Sequence, residues 1–386
     1  MMFEVLAPRK IIFGAHRAIE VAAWIRASQR DEHVLLVTGK NKRHAHVLEA
    51  LAANAQLTHI EVAGEPSLSY CEEALRQARD ARVTRVVALG GGSAIDVGKA
   101  LAAMLTNDGD TMDYLEVVGR GLPLRRAPLP FAALPTTAGT GAEATKNAVL
   151  SVARPDGLLK VSLRSDLMVP DLALVDPTLT LGVPRDVTAA TGLDALTQVI
   201  EPYVSHAATP FTDAWTRDAI PRAARALPRV LQDGSDLDAR SDMALVSLQG
   251  GLALANAKLG AVHGLAGPLG GILDAPHGAL CARLLPFVIE ANLTALKARA
   301  PRSPAWHRYR EVACWLTSNA EARPDDAIVW ARQLVDSLAI PSLRELGLAA
   351  KDIARAVEDA TRSSSMKGNP IELTKGELVR ILEAAY

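Results

Sequence analysis

Apolar runs of strand length alternate with amphipathic stretches through the first half of the chain. HVLLVTG at 33–39, THIEVAG at 58–64 and RVVALG at 85–90 are short apolar runs that end in glycine. Helices are expected between these runs, over residues 43–54 and 69–83, and the second carries apolar side chains at helical spacing. Strands that alternate with helices in this way predict a parallel sheet with helices on its faces.

Two more segments extend this pattern. VLAPRKIIFG at 5–14 predicts an early strand, which a helix follows to about residue 28, and LPFAALP from residue 129 predicts a further strand. NAVLSVA and GLLKVSLRS are joined by RPDG at 154–157. Because the order Pro-Asp-Gly is typical of a tight turn, we expect a β-hairpin here.

The pattern changes near residue 180. From there on the chain is rich in Ala and Leu, its apolar positions are periodic, and apolar stretches end at Pro or Gly. At 386 residues the chain is too long for one small core. We therefore predict an α/β dinucleotide-binding domain over 1–178 and a helical domain over 179–386 that supplies the metal and substrate site.

Composition and charge are those of an ordinary soluble globular protein. Hydrophobic residues make up 49% of the chain and charged residues 22%, and 42 Lys and Arg oppose 43 Asp and Glu. Nucleic-acid binding depends on neutralising phosphates, so this balance argues against a nucleic acid as the main partner. The most basic segment, KNKRHAH at 40–46, is either a solvated helix start or a contact for a cofactor phosphate.

Cysteine usage and hydropathy suggest a compartment. The three cysteines are too few and too scattered for a disulfide framework or a CxxC zinc site. The segment MMFEVLAPRKIIFG does not have the pattern of a secretory leader, and no apolar run approaches the length of a membrane span. We expect a cytoplasmic protein that does not act at a membrane.

A glycine turn with a phosphate-binding composition follows the strand at 85–90. Gly90-Gly91-Gly92-Ser93 leads into a predicted helix, and glycine lets the backbone approach a diphosphate at the helix start. Its spacing is not that of the GxGxxG fingerprint, and a turn without a ligand is the alternative. A second polar turn, Thr136 to Gly141, follows the strand from 129. Two such turns on adjacent parallel strands would line one nucleotide-binding crevice.

Potential metal ligands occur in two segments of the helical half. A single helix would place Asp194, Gln198 and Glu201 on one face, and His263 and His277 come from further along the chain. Carboxylate oxygen and imidazole nitrogen are ordinary ligands of Zn and Fe. The same spacing is compatible with a structural hydrogen-bond network.

Several motifs, in order, make the chain resemble the iron-containing (group III) alcohol dehydrogenase family over nearly its whole length. The matching segments are IIFG at 11–14, GGGSAIDVGKA at 90–100, LPTTAGTGAEAT at 134–145, PDLALVDP at 170–177, TGLDALT at 191–197, PLGGILDAPHG at 268–278 and GNPIELTKGEL at 368–378. The resemblance implies the dehydroquinate synthase-like fold, with the nicotinamide in a cleft between an α/β and a helical domain. It also implies a homodimer.

The resemblance assigns cofactor roles to specific residues. It implies that the diphosphate meets Gly91, Gly92 and Ser93, that the nucleotide meets Thr136, Thr137 and Thr140, and that the nicotinamide ribose meets Lys160. Lys160 also counts among the expected catalytic residues, with His263 and His277.

Position 39 bears on the choice of cofactor. Relatives that prefer NAD carry an acidic residue where this chain has Gly39, and Lys40, Lys42 and Arg43 follow. Without a carboxylate to repel a 2′-phosphate, NADP(H) is favoured over NAD(H). The alternative is that Gly39 tolerates both cofactors.

The metal site departs from the pattern of the family that the chain resembles. There the metal is held by an Asp, a His four residues later and two more His, which correspond here to Asp194, Gln198, His263 and His277. Gly267 stands where a further His is common, and its small size would leave room for a larger substrate group. An amide oxygen is a poorer ligand than imidazole, so metal binding by Gln198 is doubtful. Pro202 is expected to end or kink the helix.

Two chemistries stay open for this site. Fe or Zn on Asp194, His263 and His277 would polarise a carbonyl, or His263 or His277 would donate a proton without metal, as in the related maleylacetate reductases. The sequence favours the second.

The resemblance thus predicts an NAD(P)H-dependent oxidoreductase that interconverts a small alcohol and an aldehyde or ketone, acting as a carbonyl reductase. The alternative is an inactive NADP-binding homologue with a regulatory or assembly role. The non-redox cyclisation of the dehydroquinate synthases is a weaker third reading, because the dehydrogenase motifs match better.

Overall fold

A computed structural model describes residues 2–28, 32–40, 43–154, 157–273 and 275–386. Contacts divide the chain into two compact units, one of Leu6–Val183 and one of Met1–Val5 with Pro184–Tyr386. The boundary predicted after residue 178 falls inside a short 3₁₀ turn, Pro177–Thr180, that belongs to the first unit.

The first unit contains six strands that form one sheet: β1 (Lys10–Phe13), β2 (His33–Gly39), β3 (Gln56–Val62), β4 (Arg85–Gly90), β5 (Phe131–Pro135) and β8 (Leu172–Val175). The sheet is parallel throughout, and its strands lie in the order β1-β8-β5-β4-β2-β3. Its helices are α1 (Val21–Arg26), α2 (Ala45–Ala52), α3 (Leu68–Asp80), α4 (Gly92–Met104) and α5 (Thr111–Tyr114). The predicted parallel sheet is confirmed.

The central strands are apolar on both faces because helices cover both faces of the sheet. In β4, Val86 and Ala88 belong to one buried cluster, whereas Val87 and Leu89 belong to another. Side chains alternate between the two faces of a strand, so a strand between two helical layers needs a continuous apolar run.

The predicted hairpin is confirmed by the antiparallel pairing of β6 (Asn147–Arg154) with β7 (Gly157–Arg164). Pro155 and Asp156, on which the turn prediction was based, lie outside the described residues. The central position of β8 was not predicted, because its buried run LALV is only four residues long.

The order of the strands reverses between β2 and β4. From β2 the chain passes through α2 to β3 on one side, whereas from β4 it passes through α4 to β5 on the other. The loops that leave β2 and β4 therefore diverge, and α/β sheets bind ligands at such a point, outside the carboxyl ends of the strands.

The second unit is helical, as predicted. Its helices are α6 (Arg185–Val204), α7 (Pro210–Gln232), α8 (Leu237–Ala257), α9 (Ala261–Leu273), α10 (His277–Arg299), α11 (Pro304–Thr317), α12 (Pro324–Ser337), α13 (Ile353–Arg362) and α14 (Lys375–Ala385).

Helix α6 is central to this unit and packs against α7, α8 and α10. Its residues from Gly192 to Val204 are all buried, which is typical of a helix surrounded by others. Pro202 was expected to end or kink the helix; it does not end it, because it lies within α6 and the helix continues to Val204.

Among the described residues, one helix, α10, is long and apolar enough to cross a membrane, although the sequence predicted no run of that length. In the protein 72% of its most apolar stretch is buried. Helices α8 and α9 would pass the same test as a pair, but they meet at a bend of 100°. Burial against neighbouring helices accounts for the composition of α10.

Candidate dinucleotide and metal sites

The two polar turns of the first unit lie side by side. Gly90 and Pro135 are partners at the ends of β4 and β5, and the Thr136 amide donates a hydrogen bond to the Gly90 carbonyl at 3.0 Å. A Cβ at Gly92 would lie 3.0 Å from the Oγ1 of Thr140. The prediction that these turns share one edge of the sheet is confirmed, and a side chain at position 92 would crowd the hydroxyl that faces it.

The start of α4 suits a diphosphate. Gly91 occupies the N-cap of this 13-residue helix, and a glycine has no side chain to accept hydrogen bonds from the first amides. A Cβ at Gly91 would lie 3.4 Å from the Oγ1 of Thr137. Hydroxyls and free helical N–H groups at the positive end of a helix dipole are the groups that hold phosphate oxygens.

Gly39 ends β2 beside this turn. A Cβ at Gly90 would lie 3.1 Å from the amide nitrogen of Gly39, whereas a Cβ at Gly39 would meet no atom within 4 Å. Lys40 and Arg43 are exposed, and Lys42 lies outside the described residues. Position 39 is therefore open to a ligand and could accommodate a larger residue.

Lys160 lies on β7 and forms an ion pair that the sequence did not reveal. Its ammonium lies 2.5 Å from the carboxylate of Glu65, which follows β3, and its side chain is only 8% exposed. Because Glu65 is far from Lys160 in sequence and has no motif around it, this partner could be found only from the structure. The pair fixes the direction of the ammonium.

Two ionisable side chains of α4, Lys99 and Asp96, contact the segment that contains β6. Lys99 donates hydrogen bonds to the Thr145 hydroxyl at 2.7 Å and the Asn147 carbonyl at 3.1 Å, and burial lowers its pKa to about 8. Asp96 accepts a hydrogen bond from the Val149 amide at 3.1 Å, and burial raises its pKa to about 6. These contacts join α4 to the hairpin strand β6 and so hold the glycine turn in place.

Glu143 is 1% exposed, and burial raises its pKa to about 7. Among the described residues, its Oε1 atom has no hydrogen-bond partner. Above that pH the carboxylate is charged and buried, which costs stability.

We expect Glu143→Gln to remove a pH dependence of stability. The folded pKa of about 7 lies above the ordinary value of 4.5 for Glu, so the folded state holds the proton more tightly. Wild-type stability therefore falls as pH rises from about 4.5 to about 7, by about 3 kcal/mol, relative to the variant. Urea unfolding of both proteins at pH 5 and pH 8 measures this difference. Parallel pH profiles would contradict the assignment.

Four potential metal ligands converge in the helical unit. Asp194 on α6, His263 on α9, and His277 and Cys281 on α10 each offer one ligand atom, and these atoms all lie within 4.8 Å of one another. Nε2 of His263 is 3.2 Å from Oδ1 of Asp194, and Sγ of Cys281 is 3.6 Å from Nε2 of His277. Asp194, His263 and Cys281 are buried, and His277 is partly exposed.

Glu201 orients the imidazole of His263 by contacting Nδ1, the ring nitrogen that does not face Asp194. Its Oε2 lies 2.6 Å from Nδ1 of His263, and its Oε1 accepts a hydrogen bond from the Val262 amide at 2.7 Å. The carboxylate can only accept, so Nδ1 carries the proton and Nε2 faces Asp194. A carboxylate that fixes the tautomer of a histidine is a common support of metal ligands.

Burial and mutual contacts shift the protonation of the cluster. Burial raises the pKa of the Cys281 thiol to about 12. Burial would also raise the pKa of Asp194, but the hydrogen bond from His263 and the neighbouring His277 hold it below its ordinary value. Burial opposes protonation of His263, yet Cys281, Asp194 and Glu201 raise its pKa well above the ordinary range. The carboxylates of Asp194 and Glu201 beside these imidazoles suit a cation.

Comparison with known proteins decides the family. The family description "Iron-containing alcohol dehydrogenase" matches residues 8–177, and "Fe-containing alcohol dehydrogenase family, C-terminal" matches residues 188–386. The chain belongs to the iron-containing alcohol dehydrogenase family. Membership supports an oxidoreductase that interconverts alcohols and aldehydes, as predicted, and does not favour the inactive homologue.

Individual relatives agree over the full length. Alcohol dehydrogenase 4 of Saccharomyces cerevisiae (strain YJM789) is 34% identical over 97% of this chain and 96% of its own. The crystal structure of a 1,3-propanediol oxidoreductase has a TM-score of 0.91 and 32% identity, with both chains fully covered. Sulfoacetaldehyde reductase from Bifidobacterium kashiwanohense, solved in complex with NAD+, has a TM-score of 0.85 and 27% identity, covering 100% of this chain and 99% of its own.

Two positions, Gln198 and Gly267, were predicted to differ from the histidines of the family pattern. Gln198 is buried, and its Nε2 would lie 3.2 Å from a Cβ at Gly250, so its amide packs against α8. Around Gly267 a Cβ would meet no atom within 4 Å.

Cys281 was not predicted as part of the site. The cysteines were assessed only as disulfides or CxxC pairs, although Cys281 follows His277 by four residues in a helical segment. That spacing is the signal that could have identified it.

Proposed function

We propose that this member of the family reduces small aldehydes or ketones with a nicotinamide dinucleotide and prefers NADP(H) over NAD(H). The observation that carries the proposal is the sheet edge where Gly39, Gly90–Ser93 and Thr136–Gly141 meet at the reversal of strand order. Sheets of this kind bind dinucleotides at such an edge. The NAD+ bound to the sulfoacetaldehyde reductase supports the same class of cofactor.

Each group at this edge has a proposed role. The amides of Gly91, Gly92 and Ser93 bind the diphosphate, because they form the uncapped start of α4. The hydroxyls of Thr136, Thr137 and Thr140, in the neighbouring turn, bind the nucleotide. Lys160, held by Glu65, donates to the nicotinamide ribose.

We also propose that Asp194, His263 and His277 hold a divalent cation, Fe or Zn. When bound, such a cation withdraws electron density from a carbonyl oxygen. Asp194 contributes the negative charge, while Glu201 holds His263 with Nε2 directed toward Asp194. The sequence favoured a metal-free site because Gln198 replaces an imidazole, but four donor atoms within 4.8 Å support the metal-dependent alternative.

The experiment that tests the function is NADPH oxidation against a panel of aldehydes and keto acids, with and without added Zn²⁺ or Fe²⁺. We expect turnover of at least one small aldehyde or ketone, dependent on the cation. NADPH binding with no turnover of any carbonyl compound would contradict the proposal.

We expect Gly39→Asp to change the cofactor preference. A carboxylate at this open position repels a 2′-phosphate and accepts hydrogen bonds from ribose hydroxyls, so kcat/KM for NADPH falls about 10- to 100-fold relative to NADH. Gly39→Asn, which has the same size without the charge, is the control. Equal losses with both cofactors, in both variants, would refute the role of position 39.

The remaining proposals concern assembly and location. We propose a homodimer that acts on small molecules in the cytoplasm without nucleic-acid or membrane partners. Family membership and cysteines free of disulfides in the described structure support a reducing compartment. Light scattering after gel filtration tests the dimer, and a monomeric mass at micromolar concentration would contradict it.

A further inference from the structure

We propose that Cys281 is itself a ligand of the cation, so that the site of this chain is Asp194, His263, His277 and Cys281. The inference rests on one part of the proposed function, namely that a cation binds at this cluster. It assigns the fourth position, left open by Gln198, to a thiolate from a different helix. The ligand chemistry expected is that of a borderline-soft divalent cation, Zn²⁺ rather than Mg²⁺ or Mn²⁺.

Local helix geometry brings the sulfur to the site. Cys281 follows His277 by one turn of α10, so both side chains leave the helix on the same face. The ligand atoms of Asp194 on α6 and His263 on α9 lie within 4.8 Å of Sγ. The thiol therefore lies close to all three other donors rather than to its helix neighbour alone.

The separations agree with a tetrahedral ion. Zinc bonds of about 2.3 Å to sulfur and about 2.05 Å to nitrogen or oxygen, at tetrahedral angles, place S and N about 3.6 Å apart and O and N about 3.3 Å apart. The Cys281 Sγ to His277 Nε2 distance is 3.6 Å, and the His263 Nε2 to Asp194 Oδ1 distance is 3.2 Å. Two edges of a zinc tetrahedron are thus already formed by the protein.

The surroundings of Cys281 differ from those of the other cysteines. Cys71 packs in the apolar core of the first unit, and Cys314 donates to the Ala320 carbonyl at 3.4 Å. Cys281 is fully buried beside a carboxylate and two imidazoles. A buried cysteine that serves only to fill the core is expected among apolar side chains, as Cys71 is, and not among three potential metal ligands.

Charge supports the same assignment. A thiolate and the Asp194 carboxylate together neutralise a divalent cation, and the two imidazoles bind as neutral ligands. Glu201 remains behind His263 as its hydrogen-bond acceptor. The four ligands would balance the charge of the buried ion, and a carbonyl oxygen would bind as a fifth ligand.

Cobalt(II) is the probe for this proposal, because thiolate ligation gives it an intense near-ultraviolet charge-transfer absorption that oxygen and nitrogen ligands do not. We expect the full-length protein to bind one Co²⁺ per chain with this band. Cys281→Ser should lose the band and bind Zn²⁺ at least about 10- to 100-fold more weakly. Cys314→Ser, the matched control, should keep both properties.

Three results would overturn the proposal: wild-type protein that binds no Co²⁺ or Zn²⁺, a cobalt form without the band, or a band that persists in Cys281→Ser. The wild-type spectrum does not depend on how well any variant folds. Alcohol-dependent reduction of the dinucleotide is measured separately. Metal-dependent turnover without the band refutes only the thiolate ligand, whereas the band without turnover refutes only the proposed function.

Discussion

Asp194→Asn is expected to lower kcat/KM for carbonyl reduction by about 10²- to 10³-fold. Asp194 is buried, and its Oδ1 lies 3.2 Å from Nε2 of His263. The amide keeps the size of the side chain but removes the negative charge that a cation requires. Metal content and steady-state rates of the purified variant measure the two consequences together.

Asp186→Asn is the matched control for this variant. Asp186 is exposed in the first turn of the same helix, α6, so its neutralisation changes charge without touching the metal cluster. We expect it to keep metal and activity, and both variants to keep dinucleotide binding. An Asp194→Asn enzyme with wild-type activity would refute the role of the carboxylate.

Gly278→Ala is expected to destabilise the helical unit by about 3 kcal/mol. A Cβ at Gly278 would lie 2.2 Å from the carbonyl oxygen and 2.6 Å from the carbonyl carbon of Ala190. These are backbone atoms of α6 and cannot rotate away as a side chain could. The added methyl group therefore forces α10 away from α6. Displacement of about 1 Å would also separate His277 from Asp194, and such a shift costs about 10²-fold in rate.

Urea unfolding followed by circular dichroism measures the loss, and Gly267→Ala is the control. No atom lies within 4 Å of a Cβ at Gly267, so stability should stay within about 0.5 kcal/mol of wild type. Equal unfolding midpoints for Gly278→Ala and Gly267→Ala would contradict the close approach of α6 and α10.

Strands and turns of the first unit could be predicted because each is determined by a short stretch of neighbouring residues. β2 and β4 are continuous apolar runs between helical segments, and the glycine turn at 90–93 directly follows one of them. β8 was not predicted, because a run of four apolar residues does not by itself identify a strand in the sequence. Its position between β1 and β5 is a property of the whole sheet.

The helical site was only partly predictable for the same reason. A shared helical face for Asp194 and Glu201 follows from spacing, but their separate functions do not. Glu201 binds Nδ1 of His263, and Asp194 faces Nε2 of the same ring. These functions depend on the packing of α9 against α6, which no local pattern encodes. The spacing of Cys281 from His277 places both on one face of α10, but its position beside Asp194 and His263 depends on how the three helices pack.

Transfer of deuterium tests the central claim most directly. Zinc-loaded protein is incubated with NADP+ and a short primary alcohol deuterated at C1, and the reduced dinucleotide is analysed by mass spectrometry. We predict deuterium on the nicotinamide ring, lost after removal of the metal by a chelator and restored when Zn²⁺ is returned. Undiminished transfer by metal-free protein would contradict the metal-dependent site, and the absence of transfer under every condition would contradict the oxidoreductase itself.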